Sequence, residues 1–262
     1  MDIGGIVGNL KLSIEFAKRD LKERYIGTSF GQLWLIINPL ITILIYTIIF
    51  SDFMKMKLNV INSNYSYSIY LIPGLLTWNY FSTLLLRLST SIFDKSHIIK
   101  KINLPMYVFY ISIVLSELIV YIISMILGII FLIIINHPIT LDFLFLIPLM
   151  FLVTLFGLGV GVILSLFNPF FRDLKEIVPI VLQLWFWMTP IIYIKDLLLK
   201  KYPLLIDINP IYYFINNFQQ IFLYGKIDSF NSFIVSIFLA ILSILLSGYF
   251  YKKMISAIKD II

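Results

Sequence analysis

Residues 177–194 form an unbroken run of uncharged side chains, entered directly from a turn that carries Arg172, Asp173, Lys175 and Glu176. At about 1.5 Å per residue, 18 residues make roughly 27 Å of helix, close to the hydrocarbon thickness of a bilayer. The charges need water and the run does not, so the boundary reads as a membrane helix leaving one aqueous face. Similar runs recur at 33–53, 67–86, 106–135, 143–167 and 230–251. The chain is 60% hydrophobic and 13% charged, whereas a soluble domain carries about 25% charged residues. The pattern predicts an all-α integral membrane protein with six transmembrane helices. They form one membrane domain over 1–262, with a leading segment at 1–32, a bundle at 33–251 and a tail at 252–262.

Ahead of the first run, residues 3–25 place Ile3, Ile6, Val7, Leu10, Ile14, Ala17 and Leu21 at steps of three or four, opposite Lys11, Glu15, Lys18 and Lys22. This is an amphipathic helix, supported by the i,i+4 pairs Glu15 with Arg19 and Asp20 with Arg24. It either lies on a membrane surface or a partner, or is a loosely held terminal helix. The charges in 1–32 leave no early apolar core, so no cleavable leader is expected.

Proline and glycine punctuate the rest of the chain. Pro39 should kink the first span, and Gly157 with Gly161 form a small-xxx-small pair that lets another helix approach closely. Asn209, Pro210 and Gly225 bracket a short helix at 210–224. Its Asn216, Asn217, Gln219 and Gln220 would be costly in lipid, so it reads as an interfacial or re-entrant helix between spans 5 and 6. With the N-terminus inside, fourteen of the twenty lysines and arginines fall on the cytoplasmic side, which puts both termini there. The net charge of +6 therefore reflects membrane topology, not nucleic-acid binding.

Chemistry is sparse. No phosphate-binding loop occurs, since Gly225-Lys226 is followed by Ile227 and lacks the upstream glycine. No H-E-x-x-H occurs, cysteine is absent, and His97 and His137 fall on opposite membrane faces. No catalytic residue, metal site or cofactor is expected, and any pumping must draw on another chain or an ion gradient. Glu117 is the one acidic residue deep in a span, where a carboxylate costs about 2.5 to 3.5 kcal/mol. It is either a gate or conduit group or a proton site, or else a protonated or hydrogen-bonded packing glutamate reached by Ser116, Tyr121 or Ser124. Trp185, Phe186, Trp187 and Tyr193, with Tyr212, Tyr213 and Phe214, form either a lipid-interface belt or a stacking surface for sugar rings. The interval 87–101, with Arg87, Asp94, Lys95, His97, Lys100 and Lys101, is a solvated loop or a handle for a cytosolic partner. The Arg172–Glu176 charges are local pairs or a relay of a partner's movement to the fifth span.

Three segments carry a family resemblance: Arg19-Asp20-Leu21-Lys22-Glu23-Arg24-Tyr25 with Thr28, Gly31, Trp34 and Pro39; Phe170 to Ile177; and Leu182-Gln183 through Phe186-Trp187, Thr189-Pro190-Ile191 and Tyr193. In this order and spacing the chain resembles the permease subunits of ABC exporters for O-antigen, capsule and teichoic acid. The resemblance implies a homodimer of six-span subunits with two separate ATPase subunits and a lipid-linked polysaccharide substrate. It makes the N-terminal amphipathic segment an interface helix in the cell's inner or plasma membrane. It assigns ATPase coupling to Arg19, Lys22, His97, Lys100 and Lys101, with Arg172 and Asp173 in the charged turn. Trp185, Trp187, Tyr193 and Phe214 become channel aromatics, and 207–224 becomes the outward re-entrant region.

Overall fold

The computed structural model describes residues 3–54, 58, 63–95, 104–171, 173–195, 203–227 and 230–261; Arg172, His97, Lys100 and Lys101 lie outside them. Among the described residues the regular structure is helical throughout: α1 Ile3–Glu23, α2 Trp34–Thr47, α3 Ser66–Asp94, α4 Tyr107–Ile134, α5 Leu146–Phe167, α6 Leu174–Met188, α7 Pro203–Asp207, α8 Pro210–Tyr224 and α9 Phe230–Ile261. A π-helical turn, Ile48–Phe53, extends α2, and a 3-10 turn, Leu141–Phe145, leads into α5. Five stretches among these residues are long and apolar enough to cross a membrane: Gly31–Ser51, Ser66–Asp94, Tyr107–Ile134, Leu141–Phe167 and Phe230–Ile258.

The expected span at 177–194 is helical only as far as Met188. Thr189 precedes Pro190 and takes φ −102°, ψ 130°, the extended backbone that a following proline favours. The 15 residues of α6 make about 22 Å of helix, short of the hydrocarbon core. Two other boundaries move the opposite way. α3 continues through Arg87 to Asp94, and α9 runs through Lys252 and Lys253 to Ile261, because no glycine or proline follows either apolar run to stop it. The interval starting at Arg87 is thus helical in its first half, and the tail expected at 252–262 continues the last helix.

α3 is the central helix. Phe81, Leu84, Leu85 and Leu88 are all but fully buried, enclosed by α4, α5 and α8. In lipid, helix association depends on close packing and interhelical hydrogen bonds, since lipid tails are as apolar as leucine. Both are present. A Cβ on Gly157 would stand 2.8 Å from Leu84, and one on Gly161 would stand 2.5 Å from Leu88. Gly159, on the opposite side of α5, admits the backbone of Ser243 on α9. Hydroxyls bridge Thr77 to Tyr121 at 2.9 Å, Tyr80 to Thr154 at 2.8 Å and Ser91 to Ser165 at 3.0 Å, each worth about 0.6 kcal/mol in a membrane.

α1 is not loose. Ser13, Ala17 and Leu21 are buried at four-residue steps, and Phe16 stacks on Phe109 of α4 at 5.6 Å. Val7, Leu10 and Ile14 stay exposed.

Candidate functional site

The charges of α1, α3 and α4 converge on one node. Arg87 of α3 donates from Nη1 to Glu117 Oε1 on α4 at 2.6 Å and from Nη2 to Asp20 Oδ1 on α1 at 2.5 Å. Arg24, just past the end of α1, donates to Asp20 Oδ2 at 3.1 Å and also to Glu117. Ser116 Oγ accepts from Arg87 at 3.1 Å. Glu117 is 3% exposed, so its charge is viable only because two guanidinium groups reach it. Two cations and two anions leave the node balanced. Burial pushes the Asp20 carboxyl up, but Arg87 and Arg24 outweigh burial and hold it below its ordinary value.

This arrangement corrects two sequence expectations. Glu117 is not an isolated carboxylate, and the groups that reach it are Arg24 and Arg87, whereas the expected hydroxyls of Ser116, Tyr121 and Ser124 bond to Ile113 O, Thr77 and Val120 O. Arg87 sits on the helix, not in a loop. The pairing had no local signal in the sequence: Arg87 and Glu117 stand 30 positions apart, on two different helices. Of the i,i+4 pairs read on α1, Asp20 with Arg24 forms, whereas Arg19 turns to Glu23 at 2.6 Å and Glu15 to Lys18 at 2.9 Å.

Two clefts flank the node. A cleft of about 330 Å³ lies between α1, α3 and α4, walled by Asp20, Arg87, Thr90, Asp94 and Ser112. A smaller one of about 160 Å³ lies between α2, α3 and α4, walled by Asn38, Thr42, Asn79, Thr83 and Glu117.

At the other end of α6, residues 189–193 are irregular, and the carbonyls of Pro190, Ile192 and Tyr193 are satisfied by side chains. Tyr70 donates to Pro190 O at 3.0 Å and to Tyr193 O at 3.1 Å, Tyr67 donates to Ile192 O, and Gln219 Nε2 donates to Pro190 O at 3.3 Å. Irregular backbone at membrane depth is tolerated only with such protein partners. Asn209 has the backbone of a helix cap, but its side chain does not cap α8. It accepts from Trp185 Nε1 at 2.8 Å and donates to Thr189 Oγ1 at 2.9 Å, so it ties α8 to the end of α6. Of the four amides that would be costly in lipid, three are buried in the protein: Asn216, Asn217 and Gln219 are at most 4% exposed.

The residues singled out in the sequence separate by environment. Trp187 is exposed, and Tyr193, half-buried, donates to its carbonyl at 2.5 Å. Trp185 is half-buried against Trp78 and Phe81. Phe214 is fully buried, stacked on Phe156 at 5.0 Å, and so faces the interior of this chain. Arg19 and Lys22 are exposed on α1, and Asp173 is exposed at the start of α6.

The chain matches the family model described as ABC-2 type transporter over residues 14–223, a span that contains all four node residues. It is 31% identical over 218 residues to the O-antigen export system permease protein RfbA of Klebsiella pneumoniae, covering 83% of this chain and 82% of that protein. The protein of the same name from Myxococcus xanthus is 30% identical over 216 residues, 80% of each chain.

Proposed function

We propose, from the premise that this chain belongs to the ABC-2 type transporter family, that it is the permease subunit of an exporter for a lipid-linked surface polysaccharide. The reading rests chiefly on similarity along four-fifths of the chain to permeases named for O-antigen export. Two copies form the channel. Each contributes six spans within one membrane domain, with α6 and the irregular 189–194 segment together as the fifth. Two separate ATPase subunits bind below. Both termini lie in the cytoplasm, as the distribution of lysine and arginine supports, and the protein resides in the inner or plasma membrane.

The interface helix α1, with Arg19 and Lys22 exposed, docks the ATPase, and the basic residues His97, Lys100 and Lys101 complete that contact. Its movement reaches the spans through Arg87, which holds α1 by Asp20 and α4 by Glu117. The turn at Arg172 and Asp173 passes movement to α6. Trp187 and Tyr193 line the path directly, with Trp185 behind them and Phe214 supporting from the α8 side. Sugar rings slide over such aromatic surfaces without fixed stops. Glu117, held by two arginines, serves this coupling and not an ion gradient.

The test is purification with the ABC ATPase encoded nearest to it. Co-elution of the two chains and stimulation of ATP turnover by lipid-linked glycan support the proposal. Glycan movement in liposomes driven by an ion gradient, with no ATPase present, refutes it.

A further inference from the structure

We infer that the cleft between α2, α3 and α4 is a binding subsite for the hydroxyls of a neutral sugar chain, entered along one polar face of α3. The inference rests on the reading of this chain as a glycan permease and adds the residues that would touch the glycan away from the aromatics.

Asn79, Thr83, Arg87, Thr90 and Asp94 follow one another at steps of three or four on α3, so they share one face of the helix. That face joins the two clefts. Arg87, Thr90 and Asp94 wall the larger one beside α1, and Asn79 and Thr83 wall the smaller one, with the node between them. Asn79 stands at the middle of α3, and Asn38 lies across the cleft on α2. Both are exposed and Thr83 is partly so. Among the described residues, neither amide side chain nor the Thr83 hydroxyl has a hydrogen-bond partner.

Polar groups left open at membrane depth are expensive and face a cavity or a bound polar species. The donors and acceptors here suit hydroxyls. Each amide offers two N–H groups and a carbonyl, and the threonine can do either. An ion finds no free charge, since Glu117 is the only carboxylate or cation among the lining residues and it is engaged by Arg24 and Arg87. Leu76, Pro39 and Val120 complete the wall, matching the apolar faces that sugar rings carry between their hydroxyls.

The chain has no cysteine, so in the complete complex a single introduced cysteine is the one thiol of this subunit, read on its own band apart from the ATPase. In proteoliposomes, a charged, membrane-impermeant methanethiosulfonate should modify Asn79→Cys and Thr83→Cys and leave Ile122→Cys and Ile126→Cys on the outer side of α4 unmodified. Adding lipid-linked polysaccharide extracted from the host should slow the first two reactions. Asn79→Leu and Thr83→Val, which remove no contact within the protomer, should assemble normally and lower export roughly threefold to tenfold, the worth of one hydrogen bond. Unreactive cysteines, reactivity indifferent to glycan, or undiminished export in Asn79→Leu would each overturn the subsite. A wild-type complex that moves no glycan would instead overturn the function on which it rests.

Discussion

Arg87 of α3 and Glu117 of α4 stand 2.6 Å apart, nitrogen to oxygen, and the second arm of the same guanidinium holds Asp20 of α1 at 2.5 Å. One planar side chain thus fixes three helices. Only a fork with two separated donors can do so.

Removing Arg87 is therefore expected to cost more than removing the whole pair. Arg87→Ala leaves the buried Glu117 with Arg24 alone, and breaking such a pair costs about 3–5 kcal/mol. Replacing both as Arg87→Met with Glu117→Leu leaves Asp20 and Arg24 as a balanced pair at the end of α1, and should regain most of that loss. Thermal unfolding of the detergent-solubilised complex measures both. Arg87→Lys should behave more like Ala than like Arg, because one ammonium cannot span Asp20 and Glu117.

The node also predicts a pH dependence. Desolvation raises Asp20, but Arg87 and Arg24 more than offset it, so its folded pKa lies below the ordinary value of 3.8. A group depressed in the folded state stabilises above its unfolded pKa and loses that contribution as pH falls through the folded one. Between pH 7 and about 5 the attachment of α1 should not change through Asp20; below about 4 it should weaken. Asp20→Asn should remove this acid-dependent part, read as melting temperature against pH.

Close approach along α5 predicts a ranking. A methyl on Gly159 would meet the main chain of Ser243 at 2.6 Å, whereas one on Gly157 or Gly161 would meet only the side chains of leucine and phenylalanine. Gly159→Ala should cost about 1–3 kcal/mol and more than Gly157→Ala, because side chains can rotate away and backbone cannot. Gly248→Ala, with nothing within 4 Å, is the neutral comparison. Yield of folded protein and melting temperature give the order.

At the end of α6, Trp185 and Asn209 should be coupled. Trp185→Phe keeps the ring packing and removes the donor, and Asn209→Ala removes the acceptor that it reaches at 2.8 Å. A double-mutant cycle should return an interaction of about 0.5–1.5 kcal/mol. If Asn209 served only as a helix cap, Asn209→Ser would restore stability. The side-chain geometry predicts that it does not, since serine cannot accept from Trp185 while also donating to Thr189.

The long helices were legible in the sequence. Apolar runs near 20 residues, the stop at Asn136 to Pro138, and the Pro210 and Gly225 limits of α8 are local signals, and the helices lie on them, although α3 and α9 overrun their apolar runs and α6 stops short of its own. The Gly157 and Gly161 spacing likewise marked a close approach, here to α3. The 189–193 break was less legible: Thr189-Pro190 lay in plain view, but its partners Tyr67, Tyr70 and Gln219 come from two other helices.

The sequence by itself determined that this chain is a helical membrane protein and where most of its helices begin and end, because transfer into lipid and helix termination act over a few consecutive residues. Only the tertiary structure decided the company each polar group keeps. Arg24 meets Glu117 across 93 positions of sequence and Arg87 meets it across 30, and Asn209 turns from capping its own helix to serve Trp185. Those choices depend on which helix faces are pressed together, and in lipid that is settled by glycine-permitted contact and by the cost of leaving a charge or an amide alone.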